Sequence, residues 1–148
     1  MLTYGNHFVG KRNNYLLNYY DKYNPLHLPP NTVRVLTNDG NKPRNGNYES
    51  ATLVEGTTDV YDVYKSGTDF SDLIWNSLNT IEVLGANTTG ITNMHEMFAN
   101  CSSLTKVALF DTSSVSDMSR MFVACTLLTS IPLFDTSSAT NMSYMFET

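Results

Sequence analysis

The sequence predicts an α/β fold, in which a short solenoid of 24-residue coils follows a small β-rich cap and an N-terminal arm. Three features lead to this expectation: an internal repeat at a constant offset, alternating β-branched segments ahead of it, and a Tyr- and Asn-rich start with few aliphatic residues. We therefore expect an arm over residues 1–30, a cap over 31–79 and a repeat region over 80–148.

The internal repeat is the strongest signal in the chain. Residues 104–124 (LTKVALFDTSSVSDMSRMFVA) and residues 128–148 (LTSIPLFDTSSATNMSYMFET) are identical at 12 of 21 positions. A weaker copy precedes them, so the predicted coils are 80–103, 104–127 and 128–148. A period of 20–29 residues with one strand and one short helical piece per copy is typical of leucine-rich repeats.

Each copy carries the chemistry of a strand followed by a helix. Apolar and partly β-branched residues over 104–109 favour a strand. The Asp111-Thr-Ser-Ser114 cluster favours a turn, and its last serine is placed to cap a helix. Val115, Met118 and Phe122 are spaced as on one helix face. The sequence thus predicts a strand, a turn and a short helix in every coil.

Equivalent side chains of neighbouring coils are expected to stack into buried ladders. Burying one Met or Phe contributes roughly 1.5–3 kcal/mol, so each added coil gains stability by stacking. Equivalent residues, for example Met118 and Met142, should then have similar surroundings. The predicted core residues are Met94, Met97, Phe98, Met118, Met121, Phe122, Met142, Met145 and Phe146.

The cap should consist of short strands and one helix. Residues 32–37 alternate in polarity and favour a strand, as do 51–55 and 59–64. Asn38-Asp-Gly40 is a plausible hairpin turn after the first of them. A short helix near 69–77 is expected to close the first coil, because the terminal unit of a repeat stack must differ from the rest to shield it.

The N-terminal arm is rich in aromatic side chains but poor in aliphatic ones. Tyrosine combines a large ring with a polar tip and suits interfaces, so one interpretation is docking on another protein. The other is that the arm folds back onto its own cap. The predicted docking residues are Tyr4, Phe8, Tyr15, Tyr19, Tyr20 and Tyr23.

Composition and charge exclude several classes of protein. Residues 1–50 hold six basic and three acidic residues (+3), and residues 51–148 hold three basic and eleven acidic residues (−8). The net charge of −5 argues against a nucleic-acid partner. No apolar run is long enough to cross a membrane, and no apolar segment follows a basic start, so we expect neither membrane insertion nor export by a signal peptide.

No arrangement typical of catalysis or cofactor binding is present, so we expect a non-enzymatic protein with no cofactor and no metal. Cys101 and Cys125 are 24 residues apart, and we expect them to be buried thiols. A disulfide between them would need their Cα atoms to lie within about 7 Å. His95 near Cys101 lacks a third, orienting group. Asp111 and Asp135 could hold Ca²⁺, but capping of turns explains them more simply.

The repeat pattern resembles a known family. L-T-x-V-x-L-F-D-T-S-S-V-x-x-M-S-x-M-F-x-x-C, carried by residues 104–125 and again by 128–146, is similar to the BspA-like leucine-rich repeat, a mycoplasma lipoprotein-type surface repeat. The resemblance implies a surface-displayed adhesion or interaction protein. Two further segments, LPPNTVRV (28–35) and EVLGANTTG (82–90), resemble segments that precede such repeats in structural proteins of gut bacteriophages.

We therefore expect a protein that presents a repeat surface to protein partners, to itself, or to a host-surface protein or glycan. A virion component is the first expectation: a capsid decoration, head fibre or tail-associated protein. The alternative is an adhesin fragment on a bacterial cell surface. Lys106, Arg120 and Tyr144 are the predicted display residues. The last coil should expose apolar atoms and an unpaired strand edge, which predicts contact with a second copy or another partner.

Overall fold

The computed structural model describes residues 28–148, and these residues form one mixed five-stranded sheet that continues into a stack of turns. The strands are β1 (Thr32–Thr37), β2 (Ser50–Leu53), β3 (Val60–Tyr64), β4 (Thr80–Asn87) and β5 (Lys106–Val107). Their spatial order is β2-β3-β1-β4-β5. All neighbours are antiparallel except β4 and β5, which are parallel.

The central strand β1 forms because its residues alternate between two environments. Val33 and Val35 are fully buried, whereas Arg34 between them pairs with Asp62 on β3, with 2.7 Å between Nε and Oδ1. The strands predicted at 32–37, 51–55 and 59–64 are confirmed. The hairpin predicted at Asn38-Asp-Gly40 is wrong, because β1 pairs with β3 and β4, and the chain after that turn runs on to the edge strand β2.

Successive repeats lie side by side in a stack of turns. Single parallel bridges join Asp69 to Asn93, Asn93 to Asp117 and Asp117 to Asn141. Backbone hydrogen bonds between copies extend these contacts: the N–H of Met118 donates to the carbonyl of Asn141 at 2.9 Å. Because the bridges pair residues that are 24 apart, equivalent positions of adjacent copies lie next to each other in the stack.

The predicted solenoid of strand-plus-helix coils is wrong. The described part of the chain is β-rich and contains no helix, neither near 69–77 nor after Ser114. Positive φ at Arg120 and Ala124 (both 56°) breaks any helical path, because a right-handed helix requires negative φ. The N–H of Arg120 donates to Ser143 O at 2.9 Å, in the next copy, instead of to a carbonyl four residues back.

The sheet likewise does not extend through every repeat. β5 has only two residues, and residues 128–148 contribute no strand. Pro132 stands where Ala108 donates its N–H to Val83 O at 2.9 Å, so the last copy lacks that donor. The architecture is therefore one mixed sheet with attached turns.

A further copy of the turn precedes the three that the sequence indicated. Asp69 bridges to Asn93, and Asp72 and Asn76 have positive φ like their equivalents in the later copies. This segment, 69–77, is the one for which a short helix was expected. Its apolar positions hold Phe70, Leu73 and Ile74 in place of Met and Phe, which hid its similarity.

The core runs from the sheet through the stacked turns. Rings of equivalent phenylalanines stack: Phe98 on Phe122 at 5.6 Å and Phe122 on Phe146 at 5.9 Å, with interplanar angles of 10° and 4°. The buried members of the predicted ladder are Met94, Met97, Phe98, Met118, Met121, Phe122 and Met145.

Two predicted ladder residues do not lie in that core. Met142 is 47% exposed and Phe146 is 54% exposed, although their equivalents Met118 and Phe122 are 0% and 2% exposed. The surroundings of Met118 and Met142 therefore differ, contrary to expectation. The reason is that, among the described residues, no further copy packs on the outer side of residues 141–146.

The loop between β1 and β2 covers the other end of the stack. Asn79 anchors this loop: its Nδ2 donates to Asp39 Oδ1 at 2.9 Å and to Lys42 O at 3.0 Å. Gly46 lies so close to the first turn that a Cβ there would sit 2.2 Å from Leu73 O. The loop residues 39–47, termed the cap loop below, therefore occupy the carbonyl side of the first copy.

Candidate interaction surface

The stacked turns share one local geometry that begins with an Asp or Asn side chain. Asp117 Oδ1 accepts the N–H of Ser119 at 2.8 Å, and Asn141 Oδ1 accepts the N–H of Ser143 at 3.2 Å. Short polar side chains favour such turns because they bond to backbone two residues on. The result is the same path of the backbone in each copy.

This geometry places one residue per copy in the left-handed region, three positions after the Asp or Asn. These residues form what we term the turn column. It consists of Asp72, Glu96, Arg120 and Tyr144, with φ of 57°, 51°, 56° and 55°. Two of the three predicted display residues, Arg120 and Tyr144, therefore belong to one column, one repeat apart.

Lys106 lies elsewhere, on β5, where its Nζ is 3.4 Å from Glu82 Oε1. Its side chain is largely exposed, so this ion pair contributes little to stability. The structure thus places Lys106 on the sheet, separately from the column that contains Arg120 and Tyr144.

The turn column carries charges of both signs, with Asp72 and Glu96 acidic and Arg120 basic. Arg120 Nε lies 2.7 Å from Glu96 Oε1, and His95 Nε2 lies 3.7 Å from the same oxygen. Burial, followed by repulsion from Glu96, raises the pKa of Asp72 above its usual value. The column is therefore a mixed polar surface that ends in the aromatic ring of Tyr144.

The side of the last copy that faces away from the stack, residues 141–146, is a second surface, which we term the outer edge. Its side chains include the half-exposed Met142 and Phe146. Leu133 of the same repeat and Leu127, the last residue of the preceding repeat, are also exposed, Leu133 at 97%. Exposed apolar groups of this kind mark interaction sites when they are contiguous.

The backbone of the outer edge is also unpaired on one side. In the preceding copy the N–H groups of Met118, Arg120 and Phe122 donate to carbonyls of the next copy. The equivalent N–H groups of Met142, Tyr144 and Phe146 have no acceptor among residues 28–148. Sequence reasoning predicted exposed apolar atoms and an unpaired backbone edge here, and the structure shows that the unpaired groups are N–H donors.

The two cysteines are buried and already hydrogen-bonded. Both cysteines are free thiols; Cys101 Sγ donates to Ile74 O at 2.9 Å and Cys125 Sγ to Phe98 O at 3.0 Å. Burial raises the pKa of Cys101 to about 12 and that of Cys125 to about 11, so both stay protonated near neutral pH.

His95 is not paired with Cys101. Its Nδ1 lies 2.8 Å from Ser119 Oγ, and that hydroxyl donates to Asp117 Oδ1. Ser119 is 3% exposed and its proton is held by a carboxylate, so it is not an activated nucleophile. We therefore find no catalytic arrangement around the histidine of the described region.

Asp111 and Asp135 cap turns in the structure. Asp111 Oδ1 accepts the N–H of Ser113 at 2.9 Å, and Asp135 Oδ1 accepts the N–H of Ser137 at 2.9 Å. The bonds from Ser113 hold the pKa of Asp111 below its usual value. Over residues 28–148, no three His, Cys, Asp or Glu side chains come together as a metal site would require.

The aromatic residues predicted for docking, Tyr4 to Tyr23, lie outside the described residues. Within residues 28–148, no helix has the length and apolarity to cross a membrane. The positions that sequence reasoning missed are Asp72 and Glu96 in the turn column. Their signal was the Asp/Asn-x-Ser/His pattern that begins every turn, which sets the backbone three residues on.

Comparison with known proteins places the repeat region in a family. The family described as "Mycoplasma protein of unknown function, DUF285" matches residues 68–148, which include the additional copy that begins at Asp69. No curated protein and no solved structure matches the chain significantly. The match agrees with the mycoplasma-type repeat expected from the residue pattern. Because it spans more than half of the sequence, the chain belongs to this Mycoplasma protein family, DUF285.

Proposed function

We propose that the chain is a non-enzymatic interaction protein that presents the turn column to a protein or glycan partner. The observation that carries this proposal is the column itself. One backbone geometry recurs in four copies, while the projecting side chain changes from Asp72 to Glu96, Arg120 and Tyr144. A fixed scaffold with variable side chains at regular spacing is what extended recognition surfaces of repeat proteins use.

Within that role, we propose a structural component of a bacteriophage particle, assembled in the host cytoplasm. Its support is the resemblance of two segments, 28–35 and 82–90, to phage structural proteins. These segments are neighbours in the fold: β1 pairs with β4 in the register Val33 to Ala86 and Arg34 to Gly85. Asn87 Nδ2 also donates to Leu28 O at 2.9 Å, so the two segments act as one unit.

The alternative, an adhesin of a bacterial cell surface, is favoured by a different observation: the matched family is described as a Mycoplasma protein family. One fractionation separates the two proposals. Particles and cell envelopes are purified from cultures of the bacterium that carries the gene, and the chain is quantified in each by mass spectrometry. Enrichment in particles supports the virion role. Enrichment in envelopes with none in particles contradicts it and supports the adhesin.

The docking role of the N-terminal arm is tested in the same particles. Deletion of residues 1–22 removes five of the six predicted docking aromatics, Tyr4, Phe8, Tyr15, Tyr19 and Tyr20. We expect the shortened chain to be lost from particles while its repeat region stays folded. Unchanged incorporation would remove the anchoring role from the arm.

The display role of the turn column is tested by adsorption to host cells. Particles carrying Arg120→Ala together with Tyr144→Ala should adsorb less, because the two exposed side chains of the column are gone. Ser130→Ala is the matched control, since Ser130 is exposed on the last copy but lies outside the column. Equal adsorption by the parent, the double-variant and the Ser130→Ala particles would contradict the display role.

Association with further copies of the chain in a larger assembly is part of the proposal. The mass of the purified full chain, measured by sedimentation over a range of concentrations, tests it. A mass that increases with concentration supports self-association, and a monomer at every concentration counts against it.

A further inference from the structure

The outer edge differs from every inner edge of the stack in its backbone hydrogen bonds. The N–H groups of Met118, Arg120 and Phe122 reach carbonyls of the next copy at 2.9, 2.9 and 3.0 Å. The equivalent N–H groups of Met142, Tyr144 and Phe146 have no acceptor among the described residues. An unpaired row of donors at every second residue is a template for a further chain segment.

The side chains of the outer edge continue an interface that already exists inside the molecule. Phe146 stacks on Phe122 as Phe122 stacks on Phe98, and one of its faces is covered in this way. Phe146 and Met142 are nevertheless half exposed, whereas the equivalent inner residues Phe122 and Met118 are buried. The apolar ladder of the core therefore reaches the surface at this edge.

The occupant of this edge has to supply backbone carbonyls at every second residue together with apolar side chains. Each inner copy supplies both to its predecessor. The carbonyls of Asn141, Ser143 and Met145 accept the three donors of the preceding copy, and Met145 is buried against it. A segment with the same turn pattern would therefore match the outer edge in hydrogen bonds and in shape.

A second whole copy of the chain is a poorer match. Two outer edges facing each other would place donors against donors, which leaves buried N–H groups unsatisfied. The opposite end of the stack bears the carbonyl of Leu73, the equivalent of Met97 O, which accepts the N–H of Ile74. The cap loop lies against this carbonyl, since a Cβ at Gly46 would sit 2.2 Å from Leu73 O. Head-to-tail contact would require displacement of that loop.

We infer that the outer edge is a docking surface for one further 24-residue repeat of the same pattern, whose Asn/Asp-Met-x-x-Met-Phe segment supplies the carbonyls and the apolar side chains. This inference does not depend on the particle or the envelope as the site of action. It assigns a partner chemistry to the outer edge, which shares only Tyr144 with the turn column.

The test extends the full chain after Thr148 with a second copy of residues 125–148 and measures amide hydrogen exchange. In the extended chain we expect exchange at Met142, Tyr144 and Phe146 to slow by at least about tenfold, because their N–H groups acquire acceptors. Exchange at Arg120 and Phe122 serves as the internal reference and should not change.

The matched control carries the same extension with serine at the positions that copy Met142, Met145 and Phe146. Without apolar anchors the added segment should not dock, and the three amides should exchange as in the unextended chain. Equal protection by both extensions would overturn the inference, because tethering and not the repeat pattern would then cause it. Unchanged exchange with the intact extension would overturn it as well.

A second measurement covers the case in which the extended chain misfolds. A synthetic peptide of residues 125–148 is titrated into the unextended full chain, and amide resonances are followed. Shifts confined to residues 141–146 support docking, and their absence at millimolar peptide contradicts it. Protection of these amides in a concentrated sample of the unextended chain alone would assign the edge to a second copy and overturn the inference.

Discussion

Met118 and Met142 occupy the same place in the repeat but differ in what surrounds them. Met118 is enclosed between the copies on either side of it, whereas Met142 has a neighbour on one side only. The energy that a buried side chain contributes depends on the area removed from water and on the cavity left when it is deleted. The position in the repeat therefore determines the residue type, and the position in the stack determines how much that side chain contributes to the free energy of unfolding.

We predict that Met118→Ala lowers the free energy of unfolding by about 2–5 kcal/mol, the usual cost of truncating a fully buried Met. Met142→Ala should lower it by about 1 kcal/mol or less, because half of that side chain is already in water. Urea denaturation of the two variants beside the parent chain measures the difference. Equal losses would contradict the burial difference between the two sites.

A second residue-level prediction concerns backbone strain at Ala124. Its φ of 56° is unfavourable for an L-residue with a Cβ, and the equivalent positions hold Asn76 and Asn100 with φ of 55° and 59°. Asparagine adopts this conformation more readily. We predict that Ala124→Asn raises the free energy of unfolding by up to about 1 kcal/mol. A lower midpoint in urea would show that strain is not what Asn relieves there.

At the level of elements, the turns show why one local pattern was misread. Apolar residues at Val115, Met118 and Phe122 recur with a spacing that fits a helix as well as a compact series of turns. The positive φ at Arg120 distinguishes the turns from a helix. An arginine in the sequence gives no indication of a positive φ, because the residue type has no preference for it. The choice is made by hydrogen bonds to residues in the next copy, which a local pattern cannot contain.

The strands of the cap region were more predictable than their arrangement. Alternation over Thr32–Thr37 reports burial on one face, so β1 could be placed from its own residues. Its partners could not, because pairing with β4 depends on how the chain returns after residues 69–77. Of the candidate surface, Arg120 and Tyr144 were identified as display residues, but their common column depends on a φ value that the sequence does not state.

The cap loop yields an element-level prediction. Gly46 has φ of 144°, and a Cβ there would lie 2.2 Å from Leu73 O. Gly67 also has positive φ, 82°, but a Cβ there meets nothing within 4 Å. We predict that Gly46→Ala destabilises the protein by about 1–3 kcal/mol more than the matched Gly67→Ala, since only the former overpacks. Comparable urea midpoints for the two variants would show that the cap loop is not closely packed on the first turn.

At the level of the whole molecule, several carboxylates accept hydrogen bonds from nearby backbone and so fix the path of the chain. Asp111 and Asp135 accept turn N–H groups, and these bonds hold the pKa of each carboxyl below its usual value. Burial raises the pKa of Asp117, but bonds from the N–H and hydroxyl of Ser119 outweigh it and leave that pKa lowered. The pKa of Asp39 in the cap loop is also lowered, chiefly by the hydrogen bond that it accepts from Asn79.

These shifts fix the direction of the pH dependence. A group whose pKa is lower in the folded state stabilises that state above its unfolded pKa, and it loses this contribution as pH falls through the folded pKa. The unfolded value for Asp is about 3.9. The free energy of unfolding should therefore be level above about pH 5 and decrease below about pH 4. The raised pKa of Asp72 opposes this trend but is a single group.

Asp117→Asn isolates one contributor to the acid sensitivity of the fold. Asn93 and Asn141 already accept the same turn N–H at equivalent positions, so the variant should keep the fold. We predict that it is less stable than the parent at pH 7 and that the difference narrows as pH falls below about 4, because only the parent loses a charged acceptor. The control is Glu55→Gln, because Glu55 is exposed and has no hydrogen bond in the described region. Its free energy of unfolding should vary with pH in parallel with that of the parent. Urea denaturation from pH 2.5 to 7 measures all three chains. If the difference in free energy of unfolding between Asp117→Asn and the parent were the same at every pH, the shape of the acceptor and not its charge would be what stabilises the turn.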